Sequence, residues 1–305
     1  MSTERTDQSA EWRVAALSEF LPVDKPLAIK RGSTEYVLYR DQEGVPHALE
    51  DSCAHRRAPL SLGCVTPAGL IECPYHGWRY DGTGACKAIP NLSSRERVPR
   101  TYRVAAFAVH EEDGFIQLCT SGMEPATPPV HLGLTDMPER WFGEQLIAYP
   151  YSEFIDMLLD APGSILDIRG LAPCDDHRFG DPVIVDDEIR VTYGAAPRGI
   201  VRPGRIIADF PYSLGLAVRR DGRLAVVKLF DEAQLLLAEL VIAASPIERA
   251  LTDVKWRGSA LATGKGAFLI TVKNRLDPAA ILVAKDYCSR LRKENAVKFT
   301  EGEYA

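Results

Sequence analysis

CPYHGW, residues 73–78, read together with CAH, residues 53–55, decides how the first half of this chain folds. Cys53-x-His55 is followed, after seventeen residues, by Cys73-x-x-His76. Two thiols and two imidazoles in paired boxes are the donor set of one tetrahedral zinc or of a cluster of two irons. In either case the boxes must be loop tips that close on one another. Pro74 and Gly77 flank the second box and suit a tight loop whose backbone N–H groups point inward.

Around these boxes the sequence alternates short apolar runs with turn signals. KPLAIKRG, EYVLYRDQEGVPHALED and DGFIQLCT predict strands and hairpins, so residues 12–122 are expected to form an all-β domain behind a loose tail, residues 1–11. Residues 123–142, rich in proline, predict a connector. The remainder, 143–305, is mixed. SEFIDMLLD carries an apolar face at helical spacing. VIVDDEIRVTYG, GRIIADF, SLGLAVRR, RLAVVKLF and LLLAELVIAAS predict strands of one antiparallel sheet. DPAAILVAKDYCSRLRKEN predicts a C-terminal helix, with Asp277 and Pro278 at its start and cations in its last turns. The fold class is therefore α+β.

The bulk numbers narrow the function. The chain has 305 residues, 46% hydrophobic and 26% charged, enough for two domains with their own cores. The net charge of −6, without a basic patch, excludes a nucleic-acid partner. The polar start MSTERTDQSA predicts no signal peptide, and no apolar run reaches the ~18–20 residues of a membrane span. Seven cysteines, an odd and thinly spread set, point to a reducing cytoplasm rather than a disulfide framework.

EWRVAAL (11–17), CAHRRAPLSLG (53–63) and CPYHGWRYDGTGACKAIP (73–90) resemble the α subunit of Rieske non-haem iron oxygenases, closely over residues 12–122 and by order of elements over the rest. The resemblance implies a Rieske [2Fe-2S] cluster, with the thiolates of Cys53 and Cys73 on one iron and the imidazoles of His55 and His76 on the other. It implies a second domain of helix-grip type, related to START/SRPBCC lipid-binding domains. It also implies a reductase or ferredoxin donor, and a trimer in which one subunit's cluster feeds the iron of its neighbour. Respiratory Rieske proteins have a further Cys where this chain has Tyr75, and a sulfide-bonding Ser where it has Trp78. No disulfide with Cys64 is expected, and fewer donors to the sulfurs predict a potential toward the lower end of the roughly −150 to +300 mV range.

The resemblance then breaks. Family members hold a mononuclear Fe(II) by two His and one carboxylate. The first part of that triad is an Asp-x-x-His-x-x-x-x-His run on a helix. Laid on FIDMLLDAPGSILDIRG (154–170), it matches Asp160 to the Asp that bridges cluster and iron, but puts Gly163 and Ile168 where the two histidines stand. Pro162 and Gly163 would kink or end the helix. The third ligand could match Asp277, less well Asp286, and each reads equally as a cap or surface charge. Of the other histidines, His47 and His110 belong to β-rich stretches and His131 to the connector. Cys174, Asp175, Asp176 and His177 read as a solvated polar loop, with a metal loop as the alternative.

Three functions follow as expectations. The first is an electron-transfer or accessory subunit that accepts electrons from a reductase and feeds an iron in another polypeptide. The second is a non-standard enzyme acting on a small apolar molecule without the mononuclear iron, or with one re-sited on His131, His177 and Asp residues. The third is a cluster-containing module that binds a small molecule.

Overall fold

The computed structural model describes residues 12–92, 97–123, 128–199 and 210–274. The tail 1–11, most of GRIIADF and the C-terminal helix expected from Asp277, with Asp286, lie outside the described residues. The chain divides into two compact units, Met1–Leu132 and Gly133–Ala305.

The first unit is built from short strands: β1 (Trp12–Leu17), β2 (Leu27–Arg31), β3 (Thr34–Arg40), β4 (Pro46–Glu50), β5 (Cys64–Val65), β6 (Ile71–Glu72), β7 (Arg79–Tyr80), β8 (Cys86–Ala88), β9 (Ala106–Phe107), β10 (Val109–Glu112) and β11 (Phe115–Cys119). They form three antiparallel sheets, ordered β1-β11-β10, β2-β3-β4-β9 and β5-β6-β7-β8. The central strand β3, YVLY at its heart, is buried on both faces. Tyr36 and Leu38 pack with Ala48, Ile116 and Leu118, while Val37 and Tyr39 pack with Leu49, Leu60, Ile71 and Tyr80. That period-two split fixes the register, because a one-residue slip would exchange the two cores. The second core ends on Cys53, Cys73 and Trp78. Box one lies in the loop from β4 to β5, and box two in the loop from β6 to β7.

In the second unit β12 (Glu139–Ile147) leads into α1 (Tyr151–Asp160) and the single turn α2 (Pro162–Ile165). Then follow β13 (Leu166–Ile168), β14 (Leu171–Arg178), β15 (Val183–Val185), β16 (Glu188–Pro197), β17 (Tyr212–Arg219), β18 (Leu224–Asp231), β19 (Leu236–Glu248), β20 (Leu251–Ala260) and β21 (Ile270–Val272). They make one ten-stranded sheet, ordered β12-β20-β19-β18-β17-β16-β14-β13-β21 with β15 paired to β16. Phe154, Ile155, Met157, Leu158 and Leu159 of α1 share one core with alternate residues of the sheet, among them Val191, Tyr193, Leu216, Val227 and Leu240. Across the curl of the sheet, Trp141 Nε1 donates to the Ile270 carbonyl at 2.8 Å and Gln145 Nε2 to that of Lys273 at 2.9 Å, so its two edge strands meet and the sheet is barrel-like. On β12 and β20 the cross-strand pairs Trp141↔Gly258 and Gly143↔Trp256 are reciprocal. Each indole lies over the opposite glycine, where a Cβ would come within 2.3 Å and 2.4 Å of the ring.

Two expectations differ from what is seen, and a third holds. β12 begins at Glu139, inside the stretch read as connector, because ERWFGEQLI alternates in and out once the prolines end. CDDH is not a loop: it lies on β14, whose pairing with β16 slips between Cys174 and Arg178, and such a bulge tolerates a polar run. As Pro162 and Gly163 lead one to expect, the helix ends, and Asp160, Gly163 and Ile168 do not share it. α1 stops at Asp160, Ala161 leaves helical geometry (φ −143, ψ 62), Pro162 starts a new turn, and Ile168 belongs to β13, fully buried.

Candidate metal centre

The two boxes fold into the same backbone loop. In box one the Cys53 N–H donates to the Ala58 carbonyl at 2.9 Å and the Arg57 N–H to that of Cys53 at 2.8 Å. In box two the Cys73 N–H donates to the Trp78 carbonyl at 2.8 Å and the Gly77 N–H to that of Cys73 at 3.1 Å. The fifth residue of each loop is left-handed, Arg57 at φ 59 and Gly77 at φ 67. A Cβ at Gly77 would also sit 2.9 Å from Pro90 Cγ, so glycine, which the dihedral favours in both loops, is what the space calls for in box two.

These loops sort the candidate ligands into two pairs. Cys53 and Cys73 are buried, their thiols in hydrogen-bond contact, while His55 and His76 are exposed with ring centroids 4.7 Å apart. Among the described residues, no group of three or more His, Cys, Asp or Glu converges on one ion-sized point. A single zinc needs four donors around one centre, whereas a two-iron cluster takes them two and two, sulfur on one iron and nitrogen on the other. The paired arrangement, buried sulfurs and exposed imidazoles, fits the cluster.

The surroundings fit it too. Burial pushes the Cys73 thiol up, while the backbone N–H groups of Tyr75 and His76, both aimed at its sulfur, pull it down. The Tyr80 hydroxyl lies 3.1 Å from Cys53 Sγ and accepts the Ala54 N–H at 3.2 Å. Burial first, and then the neighbouring Cys53, push the Tyr80 phenol well above its ordinary value, so it stays a donor. The Trp78 indole stacks on the His55 ring, centroids 4.8 Å apart and 3° from parallel, and is itself backed by Tyr102. Desolvation, and then the charges of His76 and Arg56, lower the His55 pKa, which favours the neutral imidazole a metal needs. Asp51, 6% exposed, accepts from the Ser61 N–H at 2.7 Å and the Ser61 hydroxyl at 2.5 Å, bracing box one from below.

Residues 11–107 match the family model of the Rieske [2Fe-2S] domain. The chain carries a Rieske domain. It is homologous to oxygenase components of the Rieske non-haem iron type. It is 39% identical over 153 residues to the vanillate O-demethylase oxygenase subunit of Pseudomonas sp. (strain HR199 / DSM 7063), covering 49% of this chain and 42% of that protein. It is 43% identical over 105 residues to the dicamba O-demethylase oxygenase component of Stenotrophomonas maltophilia, 34% of this chain and 30% of that one. The protein TIC 55, chloroplastic, of Arabidopsis thaliana is 35% identical over 122 residues, 40% of this chain and 22% of that one. The matched stretches thus span less than half of these relatives. Beyond the Rieske domain the likeness is one of fold: dicamba monooxygenase bound to dicamba superposes with a TM-score of 0.64 at 24% identity, over 84% of this chain and 78% of that chain.

Sequence reasoning counted too few donors at the cluster loops. It noted Trp78 in place of a serine but missed Tyr80, which reaches the thiol of the other box from β7. The signal was present only as a tyrosine on a two-residue strand. The remaining candidates scatter. His47 Nε2 bonds Asp41 at 2.8 Å, His131 Nδ1 bonds Glu112 at 2.8 Å, and the His177 ring stacks on Phe210 at 4.6 Å. Asp175 turns instead toward Gly163, whose N–H it accepts at 2.8 Å. In the second unit two open clefts of about 560 and 620 Å³ share Phe179 and Thr192. Arg190, Thr192, Ala217 and Lys228 in their lining alternate with the core positions of the same strands, so these clefts lie on the sheet face away from the core. No described helix is long and apolar enough to cross a membrane.

Proposed function

We propose that this chain takes single electrons at a Rieske cluster and hands them to a partner polypeptide, as an electron-carrying or accessory subunit of an oxygenase system. The cluster would be held by the Cys53 and Cys73 thiolates inside and the His55 and His76 imidazoles outside, and it supplies one-electron transfer when bound. The chain's own residues prepare that exchange. The sulfur side is shut into the core, the imidazole side is open to a partner, Trp78 fixes the plane of His55, and Tyr80 offers a proton donor to the Cys53 sulfur.

The observation that carries the reading is the backbone from Asp160 to Ile168. The two positions matched to iron histidines hold a glycine in a four-residue turn and a fully buried isoleucine on a strand, neither able to ligate. Asp160, 5% exposed at the end of α1, remains as the candidate bridge between subunits. A reductase or ferredoxin donor and a trimer of identical or related chains belong to the same proposal. So does a cytoplasmic setting, which suits the six described cysteines, all free thiols. Iron and sulfide content per chain, with the EPR spectrum of the reduced protein, tests the reading. Two irons, two sulfides and a Rieske signal are expected. A third iron, or hydroxylation by the purified chain with only a reductase and dioxygen, would overturn it.

A further inference from the structure

Three separate elements meet on one peptide of the second unit, that of Gly163 in α2. Its N–H donates to Asp175 Oδ1 at 2.8 Å, from the bulged part of β14. Its carbonyl accepts from Lys273 Nζ at 2.5 Å, from the residue just after β21. The Lys273 backbone N–H in turn donates to the Ile165 carbonyl at 2.8 Å, closing the far end of the same turn. A four-residue helix satisfies almost none of its own terminal N–H and C=O groups, so such external partners decide whether the turn forms. The carboxylate also fills space. A Cβ at position 163 would lie 2.9 Å from both Asp175 oxygens and 3.2 Å from its Cγ, so the carboxylate would have to move off the Gly163 N–H to admit it.

We propose that Asp175 and Lys273 form a two-sided clamp on the Gly163 peptide, which holds the turn 161–165 and admits a side chain at position 163 only by displacing the Asp175 carboxylate from that clamp. The clamp deepens the reading above, and rests on it only for the correspondence of position 163 to a ligand position. It explains why the polar run CDDH is tolerated within a strand: the bulge presents Asp175 to α2. It also makes glycine a requirement of the neighbouring carboxylate rather than of backbone conformation, since Gly163 is not among the left-handed glycines.

The test is a double-mutant cycle on the full, cluster-loaded chain, read as thermal midpoints. Gly163→Ala alone is expected to lower Tm by about 5 °C or more, because the methyl meets the carboxylate. In an Asp175→Ala background, where that carboxylate is gone, the same methyl is expected to change Tm by less than about 1 °C. An equal loss in both backgrounds would overturn the clamp. Should Asp175→Ala not fold, Asp175→Asn keeps an acceptor of the same shape, and the loss from Gly163→Ala is expected to persist there. Its disappearance in that background would equally sink the clamp. Iron content decides the functional reading while this coupling is read on stability, so either can fail without the other.

Discussion

Replacing Tyr80 by Phe removes the hydroxyl from the cluster loops, and with it the contact to Cys53 Sγ and the bond accepted from the Ala54 N–H, while keeping the ring that packs there. The hydroxyl stands 3.1 Å from Cys53 Sγ, inside a core where Tyr80 is fully buried. A hydrogen bond to a charged acceptor is worth about 1.5–3 kcal/mol, and it strengthens when the cluster gains an electron, because the sulfur then carries more negative charge. If a third to a half of that energy is differential, reduction loses about 0.5–1.5 kcal/mol in the variant. At 59 mV per tenfold change for one electron, this lowers the potential by roughly 20–65 mV. A potentiometric titration followed by visible absorption and EPR reads the shift directly, with iron and sulfide assays confirming an intact cluster. A potential within about 10 mV of the wild type, cluster intact, would refute donation from Tyr80 to the cluster sulfur.

Further outcomes follow from the geometry. Gly77→Ala puts a Cβ against Pro90 in a left-handed loop and is expected to destabilise the first unit by about 1–3 kcal/mol, seen as lost cluster content and a lower urea midpoint. Lys255, 8% exposed, donates to both oxygens of the equally buried Asp253 at 2.6 Å, so Lys255→Met strands a buried charge and should cost about 3–5 kcal/mol by denaturant titration. The Asp175 carboxyl is pushed up to about 6 by burial, against the opposing pull of the Gly163 N–H and Lys273, with Asp176 adding a smaller upward push. Between its unfolded value of about 3.9 and 6 the folded chain therefore keeps a proton the unfolded chain has lost, and this contribution to stability, full below about pH 4, is lost as pH rises through 6. Asp175→Asn carries no such loss, so its stability relative to wild type should rise by about 1–3 kcal/mol from pH 4 to 7 in parallel urea titrations.

The cluster loops were legible because their chemistry is local: each box is a short run whose donors, turn residues and spacing sit side by side. The strands were legible where one face is apolar and the other wet, as in β17 and β18, and β3 was legible as a β-branched and aromatic run between turn signals. β20 was missed because Asp253 and Lys255 stand on one face and Thr252 on the other, beside Val254 and Trp256, polar groups that the fold nonetheless buries. β14 was missed because a bulge hides in its polar run. The family's ligand run would need one helix through Asp160, Gly163 and Ile168, and the Pro162–Gly163 pair marked where the helix of this chain ends. What filled the space, Asp175 from twelve residues away and Lys273 from a hundred and ten, is a pairing of distant segments that no local pattern encodes.

The four tryptophans divide evenly, Trp12 and Trp78 in the first unit, Trp141 and Trp256 in the second. Trp78 lies flat on a cluster-loop imidazole, while Trp141 and Trp256 lie flat on the peptide of a facing strand. Indole emission is therefore a built-in reporter with two separable sources. With Trp12→Phe and Trp78→Phe together, the remaining signal change on heating follows the loss of the paired indoles from the β12–β20 ladder. Comparison with the parent chain would show whether the two units melt together or in sequence.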